Sequence, residues 1–145
     1  QAYIDGYFQK YSKVRDYLDG LLNQARREGY VTTLFRRRRY LPEIASPQPA
    51  VRQFAERMAI NAPIQGTAAD LIKAAMVRIH RRVSEEGLAA RMIMQVHDEL
   101  VFEVPLSERD RLTALVRDEM EGVLKLDVPL LVEVGAGKNW DEAHA

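Results

Sequence analysis

The stretch Arg91–Val104, RMIMQVHDELVFEV, restricts the possible folds more than any other part of the chain. Two apolar runs, Met92–Val96 and Leu100–Val104, meet at three consecutive ionisable residues, His97, Asp98 and Glu99. Each run is short and rich in Val, Ile, Met and Phe, the pattern of a buried strand. Only a very tight connection fits between them, so the stretch predicts an antiparallel hairpin with the charges at its tip. With His97 and Asp98 as the central turn residues, Val96 pairs with Glu99 and Gln95 with Leu100. Strict alternation then places Ile93, Gln95, Leu100 and Phe102 on one face. Met92, Met94, Val96, Glu99, Val101 and Glu103 fall on the other. Such turns usually need positive φ and therefore Gly or Asn. Here there is no Gly, although His and Asp tolerate that region better than most residues.

A solvated hairpin tip is the plain explanation of these charges, since Asp is a common turn residue. The chemical alternative starts from the strands, which are apolar on both faces and hold the tip at the edge of a core. A carboxylate so placed is an ordinary ligand for a hard cation. The neighbouring His can donate to a phosphate or a sugar. Adjacent strand residues point to opposite faces, so Asp98 and Glu99 share one metal only if the turn twists them together. A complete two-metal site needs at least one more carboxylate from elsewhere.

With 145 residues, 47% of them hydrophobic, the chain is long enough for one domain with a real core. It does not start with Met, and a helical pattern begins at once, which reads as a piece of a longer protein. No apolar run approaches the length of a membrane span, and no signal peptide is visible. The absence of cysteine excludes disulfides and thiolate metal sites and is compatible with a cytoplasmic protein. The zero net charge conceals two opposed halves. Residues 1–82 hold 15 Lys and Arg against 7 Asp and Glu, a balance of +8; residues 83–145 hold 6 against 14, a balance of −8. A basic half suits a polyanion, and an acidic half suits metal ions or simple solubility.

Residues 2–28 carry apolar side chains at spacings of three and four and predict one long helix ended by Gly29. Tyr3, Tyr7 and Tyr11 form a stripe on it that reads as core or interface. Tyr30–Phe35 and Arg37–Ile44 predict two strands around a basic turn. The four arginines Arg36–Arg39 make the densest positive site in the chain. A solvated basic face and a phosphate-contacting face both fit that stretch. Pro49 suits a first helical turn, and the sequence predicts a helix to about Ile60, a break at Asn61–Pro63, and a second helix from Gln65 to about Val83 with Thr67 as a possible cap. Ala68, Leu71, Ile72, Ala75, Met76 and Ile79 are its expected buried stripe. Arg57 and Asn61 are i, i+4 neighbours, and Gln65 follows across the expected break. These three side chains suit hydrogen bonding to sugar–phosphate or minor-groove acceptors. Ser107–Asp110, SERD, has the form of a capping box and opens a helix to about Leu124. Val128–Val134 predicts a last strand, and 135–145 a tail in which Trp140 is an anchor and His144 has no assigned role.

Several of these segments together resemble family A DNA polymerases, the bacterial DNA polymerase I group. QVHDELVFEV at Gln95–Val104 is similar to that family's third polymerase motif. RMAINAPIQGTAADL at Arg57–Leu71, GYVTTLFRRRRYLP before it and DVPLLVEVGAGKNW after it also look like the family, in its order. The resemblance implies an α+β fold: helices packed on a small antiparallel sheet containing the 92–104 hairpin, part of a polymerase palm. The helical region is 1–83, the palm hairpin, helix and final strand 91–134, and the whole chain one partial domain. The activity implied is template-directed transfer of a deoxynucleotide from its triphosphate to a primer 3′ end. By the same resemblance Asp98 and Glu99 are catalytic and bind Mg²⁺, two ions in the complete enzyme. His97 touches the primer terminus, Arg57, Asn61 and Gln65 hold primer–template DNA from the minor-groove side, and Arg37, Arg38 and Arg39 contact its backbone. Two positions depart from the family: Ser12 stands where Pro is common, and Arg36 where Gly is common.

The family's first motif, with another metal-binding Asp, and the nucleotide-binding helix of its second motif do not occur in this sequence. The isolated chain is therefore expected not to polymerise. Two other classes compete: a non-catalytic module binding primer–template DNA, and a metal-dependent nuclease built on His97, Asp98 and Glu99. A fragment that associates with itself through a large apolar surface is a further expectation.

Overall fold

A computed structural model of the chain describes residues 2–144. Gln1 and Ala145, the last residue of the expected tail, lie outside them. The chain divides into two compact units, Gln1–Ala68 and Ala69–Ala145. Among the described residues it is mixed α and β, with the two small sheets both antiparallel.

In the first unit, helices α1 (Ala2–Lys10) and α2 (Ser12–Glu28) replace the single helix expected over 2–28. Tyr11 separates them with φ −119° and ψ 58°, outside helical values. Tyr3, Tyr7 and Tyr11 are all exposed, so within this chain their stripe is not core. Gly29 ends α2 at φ 75°, and its N–H donates to Ala25 O, the left-handed stop that glycine allows at least cost. Strands β1 (Tyr30–Thr32) and β2 (Arg38–Tyr40) pair antiparallel, shorter than expected because the connecting turn takes up 33–37 and Pro42–Ala45, expected in the second strand to Ile44, form a 3₁₀ helix. Ala25, Val31, Leu41, Ile44, Ala55 and Ala59 form the unit's buried cluster.

The break expected at Asn61–Pro63 does not occur. Helix α3 runs from Pro49 to Glu85 with Pro63 inside it. An internal proline removes one backbone bond and costs ~3 kcal/mol. Here Ala55, Ala59 and Pro63, one helical turn apart, are all buried, and burial of that stripe holds the backbone through the defect. Thr67 is no cap: its hydroxyl donates to Pro63 O at 2.6 Å and accepts from Leu34 N at 3.1 Å. Further along, Ala75 and Ile79 are buried as expected, while Ala68 is exposed.

The second unit contains strands β3 (Arg91–Val96) and β4 (Glu99–Glu103) and helix α4 (Arg109–Glu121). Val96 pairs with Glu99 and Gln95 with Leu100, the expected register. Past Met94 the pairing shifts, and Met92 rather than Ile93 faces Phe102. This bulge corrects the expected faces. Met92, Leu100 and Phe102 pack together against the cluster of Ala75, Ile79, Ala90, Leu112, Leu115, Val116 and Val123, and Ile93 turns outward. A bulge inserts one residue on one strand and so reverses alternation beyond it.

Two other expectations are corrected. The SERD capping box is absent: the residue before α4 is Glu108, with no side-chain cap bond. The Glu108 carboxylate instead accepts from Ala89 N at 2.9 Å, which ties the strand approach to the helix start. Val128–Val134 is not a strand. Its Val132 N donates to the Glu121 carboxylate at 3.0 Å, and a strand needs a neighbouring backbone that neither β3 nor β4 supplies to it. Further on, the chain forms a short helix, α5 (Trp140–Ala143).

Candidate nucleic-acid groove and acidic hairpin tip

The unbroken α3 decides the geometry of the first unit's site. Arg57, Asn61 and Gln65 fall at i, i+4 and i+8 on one continuous helix and form one stripe. All three are exposed. They line a groove of about 470 Å³ together with Arg37, Arg39 and Phe54. Phe54 lies beside Arg57, its ring centroid 5.8 Å from the guanidinium carbon.

The opposite wall is the 33–37 turn. Arg36 has φ 63°, a left-handed conformation that costs a non-glycine residue ~1–2 kcal/mol. Thr33 holds the turn: its N–H donates to Arg37 O at 3.0 Å, and its hydroxyl accepts from Arg37 N at 3.2 Å. The Arg37 guanidinium donates to Gly66 O at 3.1 Å, so the turn is fastened to α3. A side chain at Gly66 would force its neighbours to shift, since its Cβ would lie 2.7 Å from the Thr33 methyl. Strand alternation separates the arginines. Arg37 and Arg39 reach the groove, whereas Arg38 lies over the Tyr30 ring at 4.6 Å and does not line it.

At the tip of β3–β4, His97 has φ 53°. Positive φ at the first central residue alone matches a II′ turn, which normally carries Gly there. The Gln95 side chain donates to His97 O at 2.5 Å and braces the strained turn. His97, Asp98 and Glu99 are all exposed. The structure thus brings these three together at one tip.

Sequence reasoning missed one neighbour, His144. Its Nε2 lies 3.2 Å from Glu99 Oε2 and its Nδ1 2.8 Å from Trp140 O. Both partners are acceptors, so the ring bonds them together only with a proton on each nitrogen. The Trp140 carbonyl and then the Glu99 carboxylate accordingly raise the His144 pKa above its ordinary 6.5. Trp140 stacks on the ring at 4.4 Å. No local pattern connects residues 45 apart, so no sequence signal could have found the contact.

Asp98 and Glu99 offer hard carboxylate oxygens, the donors Mg²⁺ prefers. Among the described residues, however, no group of three or more His, Asp or Glu side chains is placed to hold a metal. The donor chemistry fits, and the ligand set is incomplete. No helix among the described residues is long and apolar enough to cross a membrane.

The first unit thus holds a groove lined by basic and amide side chains, and the second a hairpin tip bearing carboxylates. The fold is that of a DNA polymerase I polymerase-domain segment. It matches the polymerase domain of Pol1 from M. smegmatis, solved in complex with DNA primer-template and dNTP, with a TM-score of 0.95 and 49% identity. That match covers 98% of this chain and 25% of the other. The family model described as DNA polymerase family A matches residues 1–142, and the chain belongs to that family. It is 54% identical over 140 residues to DNA polymerase I of Mycobacterium bovis, covering 97% of this chain and 16% of that protein. To the thermostable DNA polymerase I of Thermus thermophilus it is 55% identical over 139 residues, covering 96% of this chain and 16% of the relative. The chain therefore spans about one-sixth of the length of these curated relatives.

Proposed function

We propose that this chain is the C-terminal part of the polymerase domain of a DNA-directed DNA polymerase acting in DNA replication and repair in the cytoplasm. The reaction is attack of a primer 3′ oxygen on the α-phosphorus of a deoxynucleoside triphosphate. The new O3′–P bond forms as the bond to the β-phosphate oxygen breaks, and pyrophosphate leaves. The observation that carries this reading is the single stripe of Arg57, Asn61 and Gln65 along the groove that Arg37 and Arg39 also line.

Minor-groove acceptors are nearly the same for every base pair. Amide and guanidinium donors on such a stripe can hold a correctly paired primer end without reading its sequence. Arg37 and Arg39 add salt-dependent attraction to phosphate. Arg38 fits the backbone less directly, because it lies over Tyr30. His97, on its braced turn, is the residue assigned to the primer terminus. Asp98 and Glu99 would hold Mg²⁺, and a further carboxylate from outside these 145 residues completes the site for two ions. An ion held by these carboxylates would supply Lewis-acid stabilisation of charge developing on the reacting oxygens. The test is primer extension. The full-length polymerase extends, its Asp98→Ala variant does not, and the isolated chain yields no templated product. Undiminished extension by Asp98→Ala would overturn the reading, and extension by the isolated chain would overturn its expected inactivity alone.

A second reading applies to the chain alone: a non-catalytic module that binds primer–template DNA. One observation favours it. The groove lies entirely within the first unit, whereas the tip lacks a third ligand among the described residues. Salt-dependent binding of the isolated chain to primer–template, unchanged by Asp98→Ala, supports it; cleavage of the DNA in Mg²⁺ would point instead to a nuclease.

A further inference from the structure

The segment 135–144 is built to reach back to the hairpin tip. Gly135 and Gly137 have no room for a side chain. A Cβ at Gly135 would overlap Ala143 O, and one at Gly137 would lie 2.5 Å from the Glu142 Cβ. Asn139 caps α5 by accepting from Glu142 N at 2.9 Å, and the Glu142 carboxylate accepts from Lys138 N at 3.0 Å and from the Asn139 amide at 3.1 Å. These contacts close the segment into a compact loop. At its end Trp140 stacks on His144, whose Nδ1 is fixed by Trp140 O. Orientation of the imidazole is thus set before it meets Glu99.

We propose that 135–144 is a clasp, and that its His144 is a positioning residue that holds the Glu99 carboxylate in one orientation at the tip. Glu99 is otherwise an exposed side chain at the first position of β4, free to sample several rotamers. A hydrogen bond to Oε2 leaves Oε1 to face a cation or a substrate. Partners of this kind orient metal-supporting carboxylates from behind. The inference rests on the polymerase reading only for its effect on activity; the clasp itself is a contact within the second unit.

The full-length polymerase carrying this segment serves for the test. His144→Phe keeps a ring on Trp140 but removes both N–H groups, and His144→Gln restores a donor. At limiting Mg²⁺ His144→Phe lowers the single-turnover extension rate about three- to tenfold, below the range for buried partners because the pair is exposed. Primer–template Kd stays the same, His144→Gln recovers most of the rate, and Gly135→Ala reproduces the loss. In a Glu99→Leu background, which has no acceptor for the ring, His144→Phe costs nothing more. A second readout needs no activity: hydrogen exchange at the amides of Glu142, Ala143 and His144 speeds up several-fold in Glu99→Leu. Wild-type rates in His144→Phe, an equal loss in the Glu99→Leu background, or unchanged exchange would each overturn the clasp. Failure of the wild-type enzyme to extend would instead overturn the polymerase reading, with exchange still deciding the clasp.

Discussion

Replacing Gly66 by Ala tests how the groove is held together, because two ordinary expectations have opposite signs. In a helix interior, Gly→Ala is stabilising by ~1 kcal/mol. At Gly66 the new Cβ would sit 2.7 Å from the Thr33 methyl and 3.1 Å from the Arg37 guanidinium. Carbon atoms rest at about 3.5–4.0 Å, so the methyl must retreat by most of an ångström. The Arg37 tip is flexible and yields, but Thr33 cannot. It is buried and bonded to Arg37 through both its N–H and its hydroxyl, and the next residue donates to Thr67. Overpacking of this kind costs roughly 1–3 kcal/mol. Less the helix gain, the net loss is about 1 kcal/mol, a fall in Tm of roughly 2–4 °C at this chain length. Thermal unfolding of the chain by circular dichroism measures it. Thr33→Ser removes the offending methyl and keeps the hydroxyl, so Gly66→Ala added to Thr33→Ser should be stabilising. A rise in Tm for Gly66→Ala alone would refute the close packing of turn against helix.

Charge and strain give three further predictions. In the full-length enzyme, Arg39→Ala should reduce the salt dependence of primer–template binding by about 0.9 in slope, and Arg38→Ala by clearly less; equal slopes would show that facing the groove is irrelevant. Arg36→Gly removes ~1–2 kcal/mol of left-handed strain but adds ~0.5–1 kcal/mol of unfolded-state freedom, so Tm should stay level or rise, and a marked drop would contradict the turn geometry. Arg82, then Arg111, holds the Glu86 carboxyl below its ordinary 4.5, through contacts of 3.0 and 2.9 Å. That contribution is present above pH 4.5 and is lost as pH falls through the lowered folded value. The Tm deficit of Glu86→Gln at pH 7 should therefore shrink on acidification, and a deficit independent of pH would remove the ion pairs from the account.

Much of the site was legible because its signals are local. Two apolar runs separated by a two-residue turn leave one register, and Val96 pairs with Glu99 as that requires. The motif strings around Arg57–Leu71 and Gln95–Val104 pointed to the family that residues 1–142 match. What stayed hidden depended on partners distant in the chain. Proline chemistry argues for a break at Pro63, and only the burial of Ala55, Ala59 and Pro63 overrides it. Alternation places Ile93 on the face of Phe102, and only the pairing of Met92 with Phe102 shows the bulge.

The sequence by itself determined the acidic hairpin tip, the basic turn and the stop at Gly29, since each follows from side-chain type and short spacing. Tertiary structure alone decided that Arg57, Asn61 and Gln65 share one stripe, that Arg38 lies apart from Arg37 and Arg39, that 128–134 has no strand partner, and that His144 reaches Glu99. Those outcomes depend on long-range burial and on which backbone or side chain arrives from elsewhere, and neither is encoded in any local window.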